Sequence, residues 1–157
     1  MATPLQHVTS GQLKDELTAA ELDAIPMAVF GSADTPEAVI EAWLAERVLQ
    51  AADRVIAAVN SCSRNHSIAA GLCKVPSACV RTVLVLARHA VISAIPGLAE
   101  TLEGSTRAAE YSTAIRDLQA LATCELIPEY TLTEGEANTS LSGATCIMGE
   151  AKNDFLF

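Results

Sequence analysis

Four side chains in one short window could hold a metal. Cys62, His66, Cys73 and Cys79 place three sulfurs and an imidazole within 18 residues, and thiolate and imidazole are the ligands that tetrahedral zinc takes. The spacing C-x3-H-x6-C-x5-C nevertheless lacks the paired C-x2-C knuckles that pre-form a structural zinc site, so these cysteines are expected to be small buried hydrophobes instead. The same window raises nucleophilic catalysis, which needs a Cys or Ser beside a His and an orienting acid. Cys62 or Cys79 with His66 or His89 are the candidates, and no local signature surrounds either pairing. His89 follows Arg88 in an apolar run and suits a hydrogen-bonded structural role. The carboxylate pairs Asp15-Glu16 and Glu37 with Glu41 suit solvated helix faces. The eight glycines are scattered, with neither a G-x-G-x-x-G nor a G-x4-G-K phosphate loop. No catalytic residue, metal ligand or cofactor is expected, and the chain is not expected to be an enzyme.

The segments that would position any such residues are mainly helical. Thr9 or Ser10 can cap a short first helix with apolar Leu13 and Leu17, and Leu22 begins its exit. Pro26, Gly31 and small polar residues predict a loop between Ala24 and Asp34. Thr35-Pro36-Glu37 is the clearest start signal: a capping hydroxyl, a proline with no N–H to lose in the first turn, and an acid facing the positive end of the helix dipole. From Pro36 to about residue 60, Val39, Ile40, Trp43, Leu44, Val48, Ala51, Ala52, Val55, Ile56 and Val59 recur at three- and four-residue steps, predicting a long amphipathic helix. Residues 61–76, rich in Ser, Asn, Gly and Pro, read as a loop. A third helix then starts near Ser77. Its run from Cys79 to Ile92 is apolar on nearly all sides, as in a helix surrounded by protein. Pro96-Gly97 stops it, and Ser105 can cap a fourth helix that buries Ala108, Tyr111, Ala114, Ile115, Leu118 and Leu121 or Ala122.

Beyond Cys124 no helical period survives. The expected organisation is mainly α: an N-terminal arm over 1–8, a four-helix bundle-like domain over 9–124, and a long extended C-terminal tail over 125–157. Two of the three phenylalanines stand in the last three residues. An apolar tip of this kind binds a neighbour or folds back as an edge strand. Tyr130, Leu132, Phe155, Leu156 and Phe157 are therefore the candidate protein-interface residues.

The 157 residues fit one domain. Half are apolar and only 4% aromatic, which suits closely packed helices better than a sheet. A net charge of -9 argues against nucleic-acid binding, which needs clustered Lys and Arg. The charge is segregated: residues 1–46 hold one Lys against eight acids, 47–123 eight basic groups against five acids, and 124–157 one against six. One end of a subunit could therefore attract the middle of another. No run approaches a bilayer span, and the first eight residues lack the character of a signal peptide, so a soluble chain made in a cytoplasm is expected. The five cysteines are odd in number and widely spaced, which predicts reduced thiols.

A helix ending in Ala51-Ala52-Asp53-Arg54-Val55-Ile56-Ala57-Ala58-Val59, a loop closing on Val75-Pro76, a helix over Cys79 to His89, and then Arg107-Ala108-Ala109-Glu110-Tyr111-Ser112-Thr113-Ala114-Ile115-Arg116-Asp117-Leu118 follow in order. This order resembles the head-to-tail connector, or adaptor, family of tailed bacteriophages and Mu-like prophages, over about residues 9–127. The family's glycine after the fourth helix is replaced near Cys124. The resemblance implies a structural subunit of the virion neck: a ring of copies, typically twelve, between the portal protein and a tail-side stopper or terminator, with DNA passing through the lumen. Stopper or tail-terminator roles and a stand-alone helical protein-binding module remain alternatives. No membrane and no sequence-specific nucleic acid is implied.

Overall fold

In the computed structural model, which describes residues 1–99 and 105–138, the chain opens with two short strands, β1 (Thr3–Pro4) and β2 (Gln6–His7). Helices α1 (Ser10–Asp15), α2 (Ala19–Phe30) and the long α3 (Glu37–Ser61) follow. After a loop come β3 (Lys74–Val75), a 3-10 turn over Ser77–Cys79, α4 (Val80–Ser93), the single turn α5 (Pro96–Ala99), α6 (Thr106–Ala122) and β4 (Tyr130–Thr131). The fold is mainly helical, with α3, α4 and α6 packed on one another.

The long helix forms as its periodicity predicts. Leu44, Val48, Ala51, Ala52, Val55, Ile56 and Val59 make one buried stripe, and the two adjacent alanines let neighbouring backbones come close. Its start differs in detail from expectation. Pro36 itself holds the cap position, because the Thr35 hydroxyl is occupied in closing the preceding turn, donating to the Ser32 carbonyl at 2.6 Å. In α4 the residues from Thr82 to Arg88 are buried without interruption, placing this helix at the centre of the core. Ser105 caps α6 by accepting the Ala108 N–H at 3.3 Å.

The predicted loop over Ala24 to Asp34 is instead mostly helix. α2 runs through Pro26 to Phe30. A proline inside a helix removes one hydrogen bond, at a cost of about 3 kcal/mol, and three features offset it. Thr18 and Glu21 form a reciprocal capping box at the start, Ile25 is completely buried, and Gly31 closes the end in the left-handed conformation at φ 72°. Two capped helices, α1 and α2, therefore stand where one was expected.

The terminal stretches set apart by sequence, 1–8 and 125–138, pack on the helical body. Leu5 and Val8 belong to the core. β2 pairs antiparallel with β3, and β1 pairs in parallel with β4, Thr3 opposite Tyr130. The loop after α3 is tied down from below: the Asn60 side-chain amide accepts from the Ile68 N–H at 2.8 Å and donates to the Ile68 carbonyl at 2.9 Å. Residues 136–138 then bond to the same loop, the Ala69 N–H donating to the Glu136 carbonyl at 2.7 Å and the Asn138 N–H to the Ser67 carbonyl at 3.0 Å. Among the described residues no helix is long and apolar enough to cross a membrane.

The expectation of reduced thiols fails for one pair. Cys62, at the end of α3, is bonded to Cys124, just past α6, with the two Cα atoms 5.2 Å apart. Packing of α3 on α6 brings these ends together, a proximity invisible in a sequence separation of 62. Cys73 and Cys79 are free thiols, and Cys146 lies outside the described residues.

Candidate functional site

The window that suggested zinc does not assemble. Cys62 is spent in the disulfide, and no group of three His, Cys, Asp or Glu side chains is arranged to hold a metal among the described residues. The nucleophile candidates separate as well. Cys79 is buried, and burial, with a smaller push from the Asp117 charge, raises its thiol to about 11. Thiolate is scarce there near neutral pH. His89 stacks flat on Tyr111 with ring centres 3.6 Å apart, and burial and the Arg88 charge lower its basicity. The imidazole acts as a packing surface between α4 and α6.

The ionic chemistry concentrates where α1 and α2 meet α4 and α6. Arg81 and Arg88, two turns apart on α4, share the same two acids. Arg81 reaches Glu16 at 2.7 Å and Glu110 at 3.3 Å, while Arg88, almost fully buried, reaches Glu16 at 3.3 Å and pairs with Glu110. Arg107 pairs with Glu21 and Lys14 with Glu41. Six charged groups, Glu16, Glu21, Arg81, Arg88, Arg107 and Glu110, thus act as fasteners between helices, and of these sequence assigns Glu16 to a solvated face. A cleft of 340 Å³ opens between α4 and α6 over Val85 and Ala114, but its rim groups Arg81 and Glu110 are already bound to each other.

These pairs make stability depend on pH. The Arg88 hydrogen bond holds Glu110 below the usual carboxylate range, and hydrogen bonds from Lys14 and Ser10 do the same for Glu41. Burial pushes Glu21 up, but the Thr18 N–H and Arg107 outweigh it and leave it lowered. Glu136 is lowered from 4.5 to about 2, first by Lys74 and then by the Thr133 N–H. A carboxyl whose folded value is depressed contributes stability above its unfolded value and loses it as pH falls toward the folded one. Urea midpoints should therefore hold steady above 4.5 and fall between 4.5 and about 2. Glu136→Gln should flatten the lower part of that fall; an unchanged profile would remove Glu136 from this account.

The tail residues proposed for an interface divide. Tyr130 and Leu132 are half-buried against the core of their own chain, and the Tyr130 hydroxyl donates to the His66 carbonyl. Phe155, Leu156 and Phe157 lie outside the described residues. Unforeseen is an exposed apolar corner where α2 meets α3. Met27, Phe30 and Val39 are 59%, 36% and 43% exposed, Phe30 sits edge-on to Trp43 at 6.3 Å, and the Arg47 guanidinium lies 5.1 Å above the Trp43 ring. The i, i+4 spacing of Trp43 and Arg47 was the available signal. Compared with family models, with curated proteins and with solved structures, the chain matches none.

Proposed function

We propose that the chain is a non-enzymatic structural subunit of a tailed-bacteriophage neck: a head-to-tail connector whose copies form a ring between the portal protein and a tail-side stopper or terminator. The observation that carries this reading is the placement of the segments on which the resemblance rests. The stretch from Ala51 to Val59 is the buried end of α3, Val75-Pro76 closes the loop before α4, and the stretch from Arg107 to Leu118 lies on α6. The three together supply most of the packed body. The net charge of -9 also supports it, since an acidic lumen lets DNA slide without adhering. The fastened ionic network suits a subunit that must keep its shape under load.

The test is the mass and shape of the full chain, alone and mixed with virion neck components, by light scattering and negative-stain imaging. Rings, free or seated on a portal, are the expected outcome. A monomer indifferent to portal, stopper and terminator would overturn the reading.

A further inference from the structure

We infer that the 340 Å³ cleft between α4 and α6 is a binding site for a small organic cation, a primary ammonium on a short apolar body, held by the Asp117 carboxylate and the Thr82 hydroxyl. This goes beyond the connector reading and does not depend on it.

The cleft suits an amphipathic guest. Its lining includes apolar Val85 from α4 and Ala109 and Ala114 from α6, and small-molecule sites combine such a lining with a few convergent polar groups. The volume of 340 Å³ falls within the range of about 300 to 1,000 Å³ usual for those sites. It corresponds to the share of about eleven water molecules, room for an organic ion of about ten non-hydrogen atoms.

Two polar groups in its wall have no protein partner. Thr82 lines the cleft and is only 7% exposed, yet its hydroxyl makes no hydrogen bond among the described residues. A helical threonine can donate to the carbonyl one turn back, as Thr113 does to Ala109 at 3.0 Å. A side chain as buried as Thr82 without such a bond calls for a partner from outside the chain. Asp117, half-buried, likewise makes no ion pair or hydrogen bond among the described residues, in a molecule where Glu16, Glu21 and Glu110 all do. The two groups act from the same end of the cleft. The Asp117 charge is felt at the Cys79 thiol, and Thr82 stands three residues after Cys79, on the same side of the chain one turn further on. Arg81 at the rim is shared between Glu16 and Glu110, so its charge is balanced, Asp117 is left uncompensated, and the site selects a cation.

These demands fix the chemistry of the guest. An ammonium carries three donors, enough to reach a carboxylate and a hydroxyl together while the apolar part covers Val85, Ala109 and Ala114. A bare metal ion fits poorly, since no group of three His, Cys, Asp or Glu side chains is arranged to hold one among the described residues. The apolar lining from Ala109 to Ala114 extends about 7.5 Å along α6 at 1.5 Å per residue. A guest therefore lies lengthwise, which suits a free molecule better than a lysine stem reaching in from a partner.

The experiment titrates the full chain with phenethylammonium, with its neutral isostere 2-phenylethanol and with anionic 3-phenylpropanoate, followed by amide chemical shifts. Phenethylammonium should bind with a Kd of about 0.1 to 1 mM, the range for about nine non-hydrogen atoms in an open cleft, and should move the amides of α4 and α6 around Thr82 and Asp117 most. The neutral and anionic molecules should bind at least about tenfold more weakly, for want of a charge-assisted hydrogen bond. Asp117→Asn should erase that preference, and Thr82→Val should weaken the ammonium about threefold. Ala109→Phe, at an exposed position, should fill the cleft and abolish binding. Melting curves check that each variant folds, and the melting temperature of wild type should rise with phenethylammonium while that of Ala109→Phe stays fixed. No saturable binding by about 10 mM, equal affinity for the charged and neutral molecules, shifts centred away from the cleft, or an Asp117→Asn variant that binds as wild type does would each overturn the inference. A short lysine-containing peptide that binds more tightly than phenethylammonium would overturn the assignment to a free small molecule.

Discussion

Replacing Ile56 by alanine should lower the unfolding free energy by about 3 to 5 kcal/mol, the range expected for truncating a fully buried branched side chain. Ile56 is 1% exposed in the buried stripe of α3, the helix on which both α4 and α6 pack. Transfer energy and residual cavity then add. For a chain of this size each kcal/mol shifts the melting temperature by about 2 to 4 °C, so a fall of about 6 to 20 °C should be seen by circular dichroism. Ile115→Ala is the informative contrast. Sequence periodicity puts Ile115 on the buried face of the fourth helix, yet it is only partly buried and lines an open cleft. Its truncation should cost about 1 kcal/mol or less, because the cavity is already continuous with solvent. Equal losses at the two positions would mean that the cleft is filled in solution.

That contrast shows where sequence was sufficient and where it was not. A helix with long, strict periodicity is legible, so α3, the fully apolar α4 and the Ser105 cap of α6 all stand close to where their residues predict. Local breakers are less decisive. Pro26 argued for a loop, but burial of Ile25 and the capping box at Thr18 and Glu21 outweigh one lost hydrogen bond; the T-x-x-E pattern was present in the sequence and signals the start of α2. Long-range pairing is invisible in one sequence. Nothing in the spacing of Glu16, Arg81, Arg88 and Glu110 says that these four charges form one closed network. The same holds for β1 meeting β4 across the whole chain. Tyr130 and Leu132 were legible as residues needing a covering surface, and their own chain supplies much of it. The corner at Phe30 and Trp43 was hidden because Phe30 falls in the stretch read as a loop and Trp43 in an apolar stripe that looks like core.

Loss of the Cys62 to Cys124 bond should cost about 2 to 4 kcal/mol, by an argument that rests on chain connectivity. The bond closes a loop between residues 62 apart in sequence, and a cross-link over that length removes about 4 kcal/mol of conformational freedom from the unfolded chain. Cys62→Ser should therefore unfold at lower urea than the oxidised wild type, and a dithiol reductant should bring wild type down to the variant while leaving the variant unchanged. A second effect opposes the first. Cys124 has φ 62°, the left-handed conformation that disfavours side-chain-bearing residues by about 1 to 2 kcal/mol and that glycine adopts freely. The Glu125 and Leu126 N–H groups both donate to the Ala120 carbonyl there, so the end of α6 requires this turn whether or not the sulfurs are joined. Once the bond is gone, glycine is the better residue. Cys62→Ser with Cys124→Gly should recover about 1 kcal/mol relative to Cys62→Ser with Cys124→Ser, and the oxidised wild type should remain above both. If serine and glycine at position 124 are equally stable, the turn relaxes when the bond is lost, and the disulfide itself imposes the left-handed backbone. The path of the chain from Cys124 to β4 would then depend on the redox state of the two sulfurs, and with it the surface that β1 and β4 present together.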